Sequence, residues 1–212
     1  MFRDRVEAGR QLAEVLRDLR EQTDPIVVLA IPRGGVIVAQ AVARFLSAPI
    51  DICLTHKLGA PGNPELALGA VSDDGTIILD DFLIHSLQVP RQYIEAERYY
   101  WQIELARRAE VYRGGHARVP VKDRVAVVID DGVATGATLI AALRSTRAAG
   151  AKSLIAGVPV GPRETIERVL SREADRVECL CAPYDFYAVG LFYRNFEQVT
   201  DEEVIAAMNN AP

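Results

Sequence analysis

Val125-Ala126-Val127-Val128-Ile129-Asp130-Asp131-Gly132-Val133-Ala134-Thr135-Gly136-Ala137-Thr138 is an apolar run that ends in two carboxylates and continues as a glycine and threonine turn. Residues 125 to 129 carry no polar side chain on either alternating face, the pattern of a central parallel strand covered by helices on both sides. Asp130 and Asp131 then fall at the carboxyl end of that strand, where open α/β sheets bind ligands. Neighbouring carboxylates accept hydrogen bonds from the two hydroxyls of a vicinal diol, such as that of a ribose. The turn that follows suits a different group. Gly132 and Gly136 permit tight bends, and Thr135 and Thr138 add hydroxyl donors. A helix beginning near Ala137 would aim its unpaired N–H groups and the positive end of its dipole at this turn. One side favours sugar hydroxyls and the other a phosphate, which together describe a ribose 5-phosphate. Mg2+ would help keep an anionic ligand beside the acids.

The same alternation of strand, turn and helix extends in both directions. Phe2, Val6, Leu12, Val15, Leu16 and Leu19 recur at helical spacing and stop before Thr23-Asp24-Pro25, which predicts an amphipathic lead helix. Residues 26–31 read as a buried strand, Pro32-Arg33-Gly34-Gly35 as a turn and 36–46 as a helix. A strand over 50–55 precedes a stretch rich in glycine and proline at 57–68, expected to be a mobile loop. Asp73-Asp74-Gly75 predicts a hairpin turn. One long helix is expected over 90–112, where Tyr93, Glu97, Tyr100, Trp101, Glu104 and Arg108 fall at near-helical intervals. Strands at 124–130, 152–159 and 176–181 then alternate with helices at 137–149 and 163–171, which implies a parallel sheet with right-handed crossovers. The aromatic segment 182–199 follows, and Thr200-Asp201-Glu202-Glu203 supplies an N-cap and acidic first turn for a last helix. The expected organisation is a single domain over 1–212, with its core at about 26–181 and a helical insertion at about 90–113.

Residues 125–138 resemble the phosphoribosyl pyrophosphate (PRPP) motif of the type I phosphoribosyltransferases. An acidic dyad, a glycine, a small-residue stretch with Thr-Gly and a further threonine, all after a hydrophobic strand, is far more specific than a lone glycine-rich loop. A Walker loop is excluded because the Gly-Lys-Ser/Thr ending is missing. A receiver domain has an acidic pair too, but does not need this continuation. The resemblance covers about residues 26–196. It implies a type I phosphoribosyltransferase-like fold, an α/β open parallel sheet flanked by helices, with a small C-terminal hood at about 182–199. It also implies transfer of the 5-phosphoribosyl group from PRPP to a nitrogen acceptor such as a nucleobase, with release of pyrophosphate, as in nucleotide salvage. The cofactor implied is Mg2+, held mainly through PRPP and close to Asp130 and Asp131.

Carried over residue by residue, the PRPP-binding set is Arg33, Gly34, Gly35, Lys57, Asp130, Asp131, Gly132, Val133, Ala134, Thr135, Gly136, Ala137 and Thr138. Arg33, Lys57, Asp130 and Asp131 are expected to carry the chemistry. The two glycines let backbone N–H groups face an anion beside the guanidinium fork of Arg33, and the resemblance implies a cis Pro32–Arg33 peptide bond. Lys57 opens the segment where relatives keep a closing loop and would neutralise departing pyrophosphate; His56 beside it reads as structural. Residues 184–190 are similar to the hood of purine phosphoribosyltransferases, where an aromatic ring stacks on the base ahead of a Val-Gly pair. Phe186 is the stacking candidate, with Tyr184 or Tyr187 as replacements. Two departures leave the acceptor unassigned. The 6-oxopurine enzymes keep a lysine where residues 156–161 have none, and the Lys-x-His pattern of the orotate enzymes is absent after Lys57. A PRPP- or nucleotide-sensing regulator without turnover is the alternative from another class, and a nucleotide-binding hydrolase or phosphorylase is a third.

Composition narrows the partners. A net charge of -5 argues against sequence-independent binding to nucleic acid while leaving room for a local basic site. The arginines at 91, 98, 107, 108 and 113 alternate with acids and aromatics, the pattern of a solvated helix face. The first twenty residues lack the apolar core of a signal peptide and no stretch approaches membrane-spanning length, so a cytoplasmic location without membrane partners is expected. Cys53, Cys179 and Cys181 lack paired spacing and read as small buried or half-buried residues. Tyr99, Tyr100 and Trp101 on the long helix suggest a surface for a homodimer.

Overall fold

The computed structural model describes residues 1–210, apart from the side chains of Pro64 and Glu65. Residues 211 and 212 of the span expected as a single domain therefore lie outside the described residues. In chain order the elements are α1 (Arg5–Val15), β1 (Ile26–Ala30), α2 (Gly34–Leu46), β2 (Ile50–Ile52), β3 (Thr55–Ala60), β4 (Asn63–Ser72), β5 (Ile77–Leu79), α3 (Asp81–Ser86) and α4 (Arg91–Arg113). They continue with β6 (Val125–Ile129), α5 (Ala137–Ala148), β7 (Ser153–Val160), a helical turn at 165–172, β8 (Arg176–Cys181) and α6 (Asp201–Asn209). Local signals set several ends. Asp4 caps α1 through the Glu7 N–H at 2.8 Å, and Thr200 and Glu203 close a reciprocal capping box on α6.

Five strands form a parallel sheet in the order β2-β1-β6-β7-β8. Alternate residues of its strands serve opposite cores, as a period of two requires. Val28, Ala30, Val127, Ile129 and Ile155 pack with residues of α1, α2, α4 and α6. Val27, Leu29, Ala126, Val128, Leu154 and Ala156 pack with α5 and the 165–172 turn. From β1 the chain moves outward to β2 on one side, and β6 is laid against β1 on the other. The topological switch point therefore lies between β1 and β6, and a crevice opens beyond their carboxyl ends.

A second sheet, β3-β4-β5, is antiparallel. It corrects the expected mobile loop at 57–68, which is instead the inner part of a hairpin. The glycines there are structural. Gly62 takes φ 75 in the turn, and just beyond that segment Gly69 lies so close to the Ile78 carbonyl that a Cβ would overlap it. Leu58, Ala60, Leu68 and Ala70 are buried. The Asp-Gly hairpin is present between β4 and β5. Helix α3 was not anticipated; Asp80 caps it through the Leu83 N–H at 2.8 Å, and none of its residues is buried. Cys53 is buried, Cys179 and Cys181 are half-buried, and all three are free thiols.

Helix α4 corrects two expectations. Tyr99 and Tyr100 are exposed, but Trp101 is half-buried against its own chain, stacked on His56 with ring centroids 3.2 Å apart. Arg113 is not solvated. Its guanidinium donates to Asp51 of β2 and to Asp73 of the second hairpin, each at 2.8 Å, and the three side chains are only 11%, 3% and 2% exposed. Asp51 also accepts from the Val119 N–H at 2.9 Å. Burial opposes the charge on Arg113, yet the hydrogen bond to Asp51 and the field of Asp73 outweigh it and raise its pKa. Asp73 is raised by burial in spite of Arg118 and Arg113. This cluster ties the end of α4 to both sheets. Removing its cation leaves two buried carboxylates, so Arg113→Met should destabilise the protein by about 3–5 kcal/mol, measured by urea denaturation; a loss below about 1 kcal/mol, the level of an exposed pair, would contradict this account.

Candidate functional site

Two turns meet at the switch point. The Pro32-Arg33-Gly34-Gly35 turn leaves β1 and forms the N-terminus of α2, with the Pro32–Arg33 peptide bond cis. The Asp130–Gly136 turn leaves β6 and leads into α5. Gly35 lies against the Ile129 carbonyl, where a Cβ would come within 2.8 Å, and a Cβ on Gly34 would overlap the Asp131 carboxylate. The glycine pair thus allows the two turns to touch.

The acids are not equivalent. Asp131 Oδ2 accepts from Arg5 Nε at 2.7 Å, and the two side chains are 15% and 11% exposed. Tyr193 donates its hydroxyl to the Asp131 carbonyl at 2.6 Å. The half-buried Asp130 accepts the Asp131 N–H at 2.8 Å through Oδ1. Burial, reinforced by the negative charge of Asp131, raises the Asp130 carboxyl well above the usual range. Arg5 and Tyr193 escaped the sequence reading. Arg5 is one charge among many on an amphipathic helix, and nothing local marks a contact with a residue 126 positions away.

The phosphate-like turn is open. Ala134, Thr135, Ala137 and Thr138 are exposed, whereas Val133, Gly136 and Leu139 are buried. Gly136 adopts φ 82 at the N-cap of α5, a conformation that favours glycine. The Val133 N–H reaches the Val160 carbonyl at 2.9 Å, and Thr165 donates to the Ala134 carbonyl at 2.9 Å. These bonds anchor the turn on β7 and the helical turn beyond it. Thr135 Oγ1 accepts the Ala137 N–H at 3.4 Å.

Two cavities adjoin these turns. One, of about 600 Å³, is lined by Pro32, Arg33, Arg107, Arg108, Tyr112 and Asp201 among others. The second, of about 590 Å³, is lined by His56, Lys57, Tyr93, Glu97, Trp101 and Thr138 among others. Consecutive residues contribute one to each, Leu54 to the first and Thr55 to the second. Lys57 sits on β3 within the second cavity, beside the start of α5. Among the described residues no group of three or more His, Cys, Asp or Glu is arranged to hold a metal ion.

The C-terminal segment meets the acidic turn through residues other than the stacking candidates. Val189 covers Gly132, where a Cβ would clash with it. Phe186 is half-buried and stacked on Phe192 at 5.7 Å. Tyr184 is exposed, with its hydroxyl 2.6 Å from Arg163 Nη1 and its ring beneath that guanidinium. Tyr187 is exposed as well.

The parallel sheet and the paired turns at its switch point define the class, an α/β protein of the type I phosphoribosyltransferase kind. The chain belongs to the phosphoribosyl transferase domain family, which matches residues 3–189. It is 45% identical over 211 residues to MT0597 and to Rv0571c, provisionally named phosphoribosyl transferases from two strains of Mycobacterium tuberculosis. That match takes in 100% of this chain but 47% of each relative, so the chain spans about half the length of the curated relatives it matches. The crystal structure of TT1426 from Thermus thermophilus superposes with a TM-score of 0.88 at 43% identity, over 98% of this chain and 97% of that one. No helix among the described residues is long and apolar enough to cross a membrane.

His56 gives a pH test of the hairpin contact. Burial, then the charges of Arg108 and Lys57, lowers its pKa to about 4, so it is neutral where a free histidine would begin to protonate. The unfolded chain binds this proton first. Stability should therefore be complete above the ordinary histidine pKa and fall as the pH drops from there toward about 4. His56→Phe should keep the stack on Trp101 and flatten the Tm-against-pH curve in that window; an unchanged curve would show that His56 is not its source.

Proposed function

We propose that the protein transfers a 5-phosphoribosyl group from PRPP to a nitrogen acceptor such as a nucleobase. One observation carries the reading: at the switch point an acidic pair lies between the N-termini of two helices, α2 and α5. Helix N-termini attract anions and carboxylates accept from hydroxyls. PRPP has the matching layout, with a diphosphate on C1, a diol at C2 and C3 and a phosphate on C5. The diphosphate is assigned to residues 32–35, the diol to Asp130 beside Asp131, and the 5-phosphate to residues 132–138.

In the proposed reaction the bond from C1 to the diphosphate oxygen breaks and its electron pair leaves with the diphosphate. The acceptor nitrogen donates its lone pair to C1 and loses its proton to solvent. Positive charge grows on the ribose ring and negative charge on the leaving group. The chain's part is to hold the sugar and to oppose the leaving-group charge with Arg33, Lys57 and the N–H groups of α2. Mg2+ belongs to the proposal as a hard cation bound mainly by oxygens of PRPP. The dyad beside the sugar is compatible with it, and when bound it would add positive charge at the diphosphate. Phe186 and Tyr184 remain the proposed contacts for an acceptor base.

Asp131 is paired with Arg5, so its loss would disturb the fold; Asp130→Asn is the cleaner variant. It should keep the wild-type Tm and weaken PRPP binding in calorimetry by roughly tenfold, the worth of one or two hydrogen bonds. Unaltered affinity would remove the diol from this site. Turnover is tested by screening nucleobases and related amines for diphosphate release with PRPP and Mg2+. Release only when both substrates are present supports the transferase. Release from PRPP alone marks a hydrolase, and binding without release under any acceptor marks a sensor.

A further inference from the structure

Helix α4 brings two arginines to the cavity that the 32–35 turn opens into. Arg33, Arg107 and Arg108 line it together, and among the described residues Asp201 is the one carboxylate in its lining. That carboxylate is already engaged: Tyr112 donates to Asp201 Oδ1 at 2.7 Å, and Arg33 stands 3.7 Å from the same oxygen. Glu104 lies one turn back and accepts from Nε of Arg107 at 3.0 Å and Nε of Arg108 at 2.7 Å. It takes Arg107 Nη2 as well, at 2.9 Å, but neither terminal nitrogen of Arg108. Glu104 thus fixes the direction of both forks without using them up. A guanidinium carries five N–H donors and binds phosphate oxygens in pairs. Three such groups line a cavity of about 600 Å³, and they outnumber the two carboxylates, Asp201 and Glu104, that pair with them.

Resting on the reading of the site as a PRPP site, we propose that Arg107 and Arg108 bind the terminal phosphate of the diphosphate, so that α4 extends the leaving-group end of the site. The inner phosphate lies on the 32–35 turn and Arg33. The outer one projects into the arginine cavity. Negative charge grows on this group as its bond to C1 breaks, so the α4 arginines favour departure as well as binding.

The test is calorimetry with Mg2+ on the wild-type chain, Arg107→Gln/Arg108→Gln and Arg107→Lys/Arg108→Lys, with PRPP, inorganic diphosphate and ribose 5-phosphate as separate titrants. The glutamine variant should lose at least about tenfold in affinity for PRPP and diphosphate and keep that for ribose 5-phosphate, with its Tm unchanged. The lysine variant should recover part of the loss through charge alone. Unchanged diphosphate affinity in the glutamine variant overturns the assignment of α4 while leaving the PRPP reading intact. An equal loss for ribose 5-phosphate overturns it too, because the variant would then have disturbed the whole site. A wild-type chain that binds neither PRPP nor ribose 5-phosphate removes the underlying reading.

Discussion

The contact between Arg5 and Asp131 organises the site. Two carboxylates on consecutive residues repel each other, and burial raises the cost of keeping either charged. Arg5 answers that cost by entering from α1, donating to Asp131 Oδ2 at 2.7 Å and to the Glu197 carbonyl at 2.8 Å while lying 3.9 Å above the Phe196 ring. Tyr193, packed on Phe2 and Phe196, fixes the backbone of the same aspartate. The Phe2 N–H and carbonyl in turn pair with Phe192 and Arg194. The acidic turn is thereby held by α1 and by the segment after β8. A partly buried ion pair of this kind contributes little net energy against an apolar alternative. What it supplies is position: with Asp131 satisfied inside the protein, Asp130 is, under the proposed function, the member left to serve the ligand.

The legible part of the structure was the part written in local pattern. The unbroken apolar run at 125–129 marked a strand covered on both faces, and both cores are there. The Thr200 capping box and the Asp-Gly hairpin are short-range devices that leave a clear sequence trace. The 57–68 segment misled because glycine has two uses. Composition reads Gly59 and Gly62 as flexibility, whereas Gly59 is paired within β3 and Gly62 makes the tight turn between β3 and β4. Arg113 misled for a related reason. A charge on a helix face looks solvated until the fold brings Asp51 and Asp73, from distant segments, to the same point. Arg5 and Tyr193 fall in this second group, because their partners are set by the topology of the chain, whereas Arg107 and Arg108 are exposed and pair with Glu104 on their own helix, as the solvated-face pattern had it.

Under the proposed function the two ends of the ligand are bound in physically different ways. The sugar end is preorganised. Val133 and Gly136 are packed against neighbouring backbone or side chains, and Asp131 is clamped before any ligand arrives. Little ordering entropy remains to be lost there on binding. The diphosphate end relies on long side chains that are still partly in water, with Arg33, Arg107 and Arg108 exposed to 39%, 62% and 47%. Ordering such chains costs about 0.5–1.5 kcal/mol each, which offsets part of what their charge contributes. That division suits a transferase. The ribose has to stay fixed while its C1 bond is exchanged, whereas the diphosphate has to be held firmly enough to depart with the bonding electrons and loosely enough to leave the protein.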